Sequence, residues 1–215
     1  MQDDEFANPG MLYVRSGEQL WARAVGAANK ACADCHAAGS MVGVAARHPA
    51  IPPGRDRPAD LEGRINQCRT ERQQAERLAP ESEPLLALAA YVARQSRGLP
   101  IAPPADPRLV PFRREGKALF ETRQGQLNLS CANCHDDNAG KKLAAATIPQ
   151  GHPDGYPIYR LEWQALGSLK RRLRNCLIGM RAEPYDHDST EYVSLQLHLM
   201  DRARGMRFDA PGVRP

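Results

Sequence analysis

Cys32-Ala33-Asp34-Cys35-His36 and Cys131-Ala132-Asn133-Cys134-His135 are two copies of one five-residue frame in a chain of 215 residues. The spacing Cys-x-x-Cys-His is that of covalent c-type haem attachment. Two thiols form thioethers to the haem vinyl groups, and the adjacent imidazole turns under the ring as the proximal iron ligand. Zinc binding or thioredoxin-like redox chemistry would use the paired cysteines but leaves the histidine of both copies unexplained. Two frames imply two haems, held covalently by Cys32 and Cys35 and by Cys131 and Cys134, with His36 and His135 on the irons.

The text around the frames repeats as well. Gly17-Glu18-Gln19-Leu20-Trp21 precedes the first frame as Gly116-Lys117-Ala118-Leu119-Phe120 precedes the second, each glycine 15 residues before its frame. Arg64-x-x-x-Cys68 recurs as Arg172-x-x-x-Cys176, and Ser82 with Arg97-Gly98 recurs as Ser189 with Arg204-Gly205. The chain therefore reads as two copies of one unit. Five prolines between Leu99 and Pro111 disfavour helix and mark a stiff connector. The expected organisation is a first cytochrome c-like domain over 1–98, a linker over 99–111 and a second domain over 112–215.

Each unit reads as helix, haem frame, long irregular segment, helix with cysteine, terminal helix. Ser16, Ser82 and Ser189 are expected as N-caps, with Gly98 and Gly205 as stops. Prolines 49, 52, 53 and 58, and then 149, 153 and 157, break the segments after the frames into loops that wrap the haem. No long alternating pattern appears, so the expected class is mainly α.

Composition agrees. A net charge of +4 with 25% charged residues is ordinary for a globular chain and argues against disorder or a nucleic-acid-coating protein. The longest apolar run, Leu85–Ala93, is nine residues, against the roughly 20 of a membrane span. Aromatic residues make up only 6%, leaving room for a large flat apolar cofactor. Haem c is attached outside the cytoplasm, yet Met1–Glu5 has neither the basic nor the apolar region of a secretory signal, so the numbering is expected to be that of a mature form.

The sixth iron ligand is the open question. Met41, His48 and Cys68 are candidates in the first half; His152, Cys176, Met180, His187, His198, Met200 and Met206 are candidates in the second. Met180 is the conventional choice, but its counterpart by the repeat is Arg72, whereas Cys176 maps onto Cys68. Rival readings are a disulfide between Cys68 and Cys176, or two buried thiols. A thiolate ligand would favour ferric iron and suit a reaction at sulfur. On a helix Arg172 lies 40° from Cys176, while Lys170, Arg171 and Arg174 lie about 120° to 160° away and are expected to form a solvated face. A guanidinium one turn from the thiol lowers its pKa and holds an oxyanion, or else binds a haem propionate, as the equivalent Arg64 would.

Arg172-x-x-x-Cys176-Leu177-Ile178-Gly179-Met180-Arg181, the run Gln124–Ser130 before the second frame, and Pro149-Gln150-Gly151-His152-Pro153 together resemble SoxA, the dihaem subunit of the SoxAX cytochrome of thiosulfate-oxidising bacteria. The likeness runs from Asn8 to Met206. It implies a periplasmic L-cysteine S-thiosulfotransferase, paired with a SoxX-like monohaem cytochrome, that joins thiosulfate oxidatively to the carrier cysteine of SoxYZ and passes two electrons towards an accepting cytochrome c. It further implies His36/Cys68 and His135/Cys176 ligation, Cys176 as the reacting ligand in persulfide form, and Arg172 as the substrate-positioning arginine. Two other readings are a dihaem electron-transfer cytochrome and a thiosulfate dehydrogenase that forms tetrathionate.

Overall fold

Helix α1, Gly10–Ala22, and helix α3, Glu83–Arg94, cross at a glycine: a Cβ at Gly17 would lie 2.1 Å from the Ala87 carbonyl oxygen. Helix α4, Val110–Glu121, meets α7, Thr190–Arg202, in the same way, with a Cβ at Gly116 placed 2.0 Å from the Ser194 carbonyl. Any side chain at either position would hold the helices apart. The computed structural model describes residues 1–215. Helix α2, Leu61–Cys68, packs on α3, the single turn α5, Cys131–His135, on α4, and α6, Leu169–Gly179, on α7. The architecture is the mostly helical one expected from the sequence.

Short strands add to it, which the sequence reading left out. β1, Lys142–Leu143, and β2, Ala146–Thr147, form an exposed hairpin. β3, Ile158–Arg160, is central to a small sheet, antiparallel to β4, Ala165–Gly167, and parallel to β5, Gly212–Arg214. At two or three residues each, these strands are too short to produce a visible alternation. Helix α1 also begins earlier than expected: Ser16 lies inside it, and Asn8 holds its entrance by accepting from the Gly10 amide at 2.8 Å. Ser82 occupies an N-cap position without a side-chain bond, whereas Ser189 accepts from the Tyr192 amide. Gly98 and Gly205 have φ of 82° and 84°, as stops require.

The proline-rich segment is packed rather than suspended. Ile101 and Leu109 are fully buried, and Leu99 and Ile101 exchange backbone hydrogen bonds with residues 205–208. One apolar cluster accordingly draws from both halves, joining Ala45, Ala46, Ala93 and Ile101 to Met200, Ala203, Phe208 and Ala210.

The polar seam between the halves is more specific. Lys170 Nζ lies 2.5 Å from Asp60 Oδ2, with both side chains under 5% exposed. Lys170 was expected on a solvated face; it is instead buried because the first turn of α6 meets Asp60 at the start of α2 while the helix packs on α7. Asp60 caps α2 by accepting from the Gly63 amide at 2.8 Å and receives the Gln196 amide at 2.9 Å. Its negative charge is therefore satisfied from three sides, and Lys170 holds the carboxyl below its ordinary range despite burial. Half-buried Glu62 stands beside the pair, and burial and the Asp60 charge push it up to about 7 against the opposing pull of Lys170.

Removing one member of a buried pair strands the other. Lys170→Met should cost roughly 3–5 kcal/mol in denaturant unfolding, and adding Asp60→Asn should recover part of that loss. For Glu62, the folded state binds its proton more tightly than the unfolded chain does. Its contribution to stability therefore declines as pH rises from its ordinary value towards 7. Thermal unfolding of Glu62→Gln should lack that decline between pH 5 and 7.5.

Candidate functional site

The first hollow is a cavity of about 150 Å³ with a mainly apolar lining of Trp21, Val44, Leu61, Ile65, Leu88 and Val92. Cys32, Cys35, His36 and Cys68 all open onto it. The frame is a tight turn, with the His36 amide bonded to the Cys32 carbonyl at 3.1 Å and the Ala31 amide held by Asp34. Cys68 comes from the last residue of α2, close enough to Cys32 and Cys35 for their charges to interact. Met41 and His48 line the same hollow, but the His48 ring bonds the Val44 carbonyl at 2.9 Å through Nδ1.

The second hollow comprises two cavities, of about 90 Å³ and 290 Å³, that share Cys131, His135, Pro149, Arg172 and Cys176. Here the frame is a helical turn closed by a capping box. Ser130 accepts from the Asn133 amide, and the Asn133 side chain accepts from the Ser130 amide. Of all six cysteines, none is in a disulfide, so the bridge between Cys68 and Cys176 does not form. Nor does any group of three or more His, Cys, Asp or Glu side chains converge as a metal-ion cage.

An apolar hollow lined by a paired thiol, the adjacent imidazole and a third thiol from a neighbouring helix carries the donor set that a covalent haem needs. Both hollows fit that group. Burial holds the His36 and His135 imidazoles below their ordinary pKa, leaving each neutral and able to coordinate. His135 Nδ1 lies 2.7 Å from the Pro149 carbonyl oxygen, an interaction that fixes the ring and directs Nε2 away from that carbonyl. Gly151, at φ +73°, lies directly against this imidazole, where a Cβ would be 3.3 Å from His135 Cγ. The loop Pro149–Pro153 thus wraps the site as its prolines indicated.

The two thiols differ in company. Burial pushes Cys176 up and Arg172 pulls it back, with Arg160 adding to the pull. Burial also raises Cys68, with Arg64 and Arg72 opposing and Glu71 adding to the rise, but the Arg64 guanidinium donates to Gln67 at 2.8 Å. Arg172 faces both cavities of the second hollow, on the side of α6 that carries Cys176. The other cations of the run diverge: Lys170 is in the seam, Arg171 stacks over Trp163 at 4.2 Å, and only Arg174 is solvated as expected.

The remaining candidates of the second half separate. Met180 lines the larger cavity yet packs with Leu177 and Tyr192, and Met200 is in the apolar cluster joining the halves, with Met206 against it. His187 faces Glu81 and His198 stacks near Phe120. His152 lines the smaller cavity. Sequence reading missed Tyr156, which also lines that cavity.

A family model described as the SoxA/TsdA cytochrome c domain matches residues 16–101 and 115–208. The chain is 39% identical to the L-cysteine S-thiosulfotransferase subunit SoxA of Pseudaminobacter salicylatoxidans, over 98% of this chain and 75% of that protein. It is 33% identical to the subunit of the same name from Paracoccus pantotrophus, over 100% of this chain and 74% of that one. The crystal structure of SoxXA from P. pantotrophus superposes with a TM-score of 0.95 at 32% identity, covering all of this chain and 81% of the matched one. With its cytochrome c fold, its two thiol-lined hollows and relatives of this similarity along its whole length, the chain belongs to the SoxA family.

Proposed function

We propose that the chain is the catalytic subunit of an L-cysteine S-thiosulfotransferase, and that Cys176 and Arg172 carry the reaction. The observation that supports this most is Cys176 and Arg172 together on the walls of both cavities of the second hollow, which His135 also lines. In this reading two haems are bound, one through Cys32, Cys35, His36 and Cys68, the other through Cys131, Cys134, His135 and Cys176. The halves 1–98 and 112–215 are tandem copies of one cytochrome c-like unit, joined by 99–111. The paired glycine crossings at Gly17 and Gly116, and the two separate matches of one family model, support the repeat.

The overall reaction joins the sulfane sulfur of thiosulfate to a cysteine thiolate of a carrier protein of the SoxYZ kind, forming one S–S bond and releasing two electrons. Bound haem supplies the one-electron acceptor beside Cys176, and the second electron requires a partner, here a SoxX-like monohaem cytochrome that delivers to a further cytochrome c. The Arg172 guanidinium takes two oxygens of the sulfonate in a bidentate grip and sets the sulfane sulfur towards Cys176. Cys176 enters as a persulfide. Its outer sulfur bonds the sulfane sulfur as two electrons depart, and the carrier thiolate then attacks that sulfane sulfur, leaving with the thiosulfonate and restoring the persulfide. Arg172 also lowers the cost of negative charge at Cys176.

The first haem has an accessory role in this account, because Arg64, the counterpart of Arg172, is engaged by Gln67. No helix is long and apolar enough to cross a membrane, in keeping with a periplasmic enzyme. Arg172→Lys keeps the charge but removes the fork. Turnover of thiosulfate with the carrier should fall at least tenfold while the visible haem spectrum stays that of the parent. Near-normal turnover would remove Arg172 from the site.

A further inference from the structure

Tyr156 occupies a place in the second hollow that nothing above has used. It lines the cavity formed by His135, Arg172 and Cys176, on the residue pair Tyr156-Pro157 that leads into β3. It also borders a separate cavity of about 50 Å³ at the seam, together with His48, Asp60 and Gln196. The two ring residues of that seam are counterparts in sequence: His48 stands 16 residues before Arg64, and Tyr156 stands 16 before Arg172.

The counterparts are engaged differently. His48 bonds the Val44 carbonyl at 2.9 Å. The Tyr156 hydroxyl, by contrast, makes no hydrogen bond, and its ring lines a cavity together with Arg172 and Cys176. A phenol retains its proton at neutral pH. The Tyr156 backbone is not free to swing, since the following Ile158 pairs with both Gly167 and Gly212. A half-buried hydroxyl without a hydrogen-bond partner, on the wall of a cavity that Arg172 also lines, is a donor available to an anion held there, and losing it would leave one anionic oxygen unpaired.

We propose that Tyr156 is a substrate-binding residue, whose hydroxyl donates a hydrogen bond to a sulfonate oxygen of thiosulfate held by Arg172. Arg172 supplies the charge and Tyr156 the third point of contact, which fixes rotation of the sulfonate and so the direction of the sulfane sulfur. The inference rests on the thiosulfotransferase reading. It also explains why two hollows with the same cysteine and histidine framework would differ in activity: at the equivalent position the first carries a ring nitrogen already bound to the backbone.

The test compares the haem-loaded complex with its monohaem partner in parent, Tyr156→Phe and Tyr156→His forms. Tyr156→Phe removes only the oxygen, so the KM for thiosulfate should rise about ten- to a hundredfold, the range for a hydrogen bond to a charged group. The KM for the carrier, the haem spectrum and the haem potentials should stay at parent values. Tyr156→His should show the same loss, because a ring nitrogen at this position bonds the backbone, as His48 bonds the Val44 carbonyl. An unchanged KM for thiosulfate in Tyr156→Phe overturns the proposal, as does a change that appears in the haem potentials without one in that KM. Both outcomes leave the thiosulfotransferase reading intact, because that reading fails only if the parent complex forms no thiosulfonate on the carrier.

Discussion

Lys170 against Asp60 sets where everything else stands. The two residues lie at the starts of the two helices that carry Cys68 and Cys176, and their contact at 2.5 Å is buried from water. A charge pair so enclosed persists only when further hydrogen bonds complete it. Gly63 and Gln196 do so here, bringing α7 into the same junction. Rotation of α6 that released Lys170 would also carry Cys176 and Arg172 away from the second hollow. The ion pair is therefore a structural reference for both sites, and Glu62 makes it responsive to pH near neutrality.

Within that frame, one motif serves two environments. Both hollows have an apolar lining, a frame histidine kept neutral by burial and a cysteine on a neighbouring helix. They part in the polar groups left over. Around Cys68 the arginine and the histidine are already bonded, to Gln67 and to the Val44 carbonyl. Around Cys176 the equivalent arginine and tyrosine face the cavity, and Arg160 contributes positive charge. An anion such as thiosulfate finds Arg172 and Tyr156 without side-chain partners in the second hollow, whereas in the first the equivalent pair is engaged and Arg72 is the remaining cation on the wall.

The legible part of this in the sequence was the part set by short covalent or helical spacing. Cys-x-x-Cys-His declares its chemistry in five residues, and Arg172 and Cys176 share a helix face because they are one turn apart. The glycines at 17 and 116 repeat because nothing larger fits the crossing. Long-range packing was not legible. Lys170 reads as one more surface cation until α2 is placed against it, and three-residue strands such as β3 and β5 pair across more than fifty residues with no alternation to announce them. Ser16 looked like a cap because serine usually is one, but the helix starts at Gly10, fixed by Asn8. Tyr156 carries no motif. Only its shared spacing to the arginine, matched by His48, could have pointed to it.

The measurement closest to the central claim is a high-resolution mass of the purified chain and of its Cys176 peptide. Two covalent haems and one additional sulfur atom on Cys176 are the result the account predicts. A fully active preparation with an unmodified Cys176, or one haem in place of two, would contradict it.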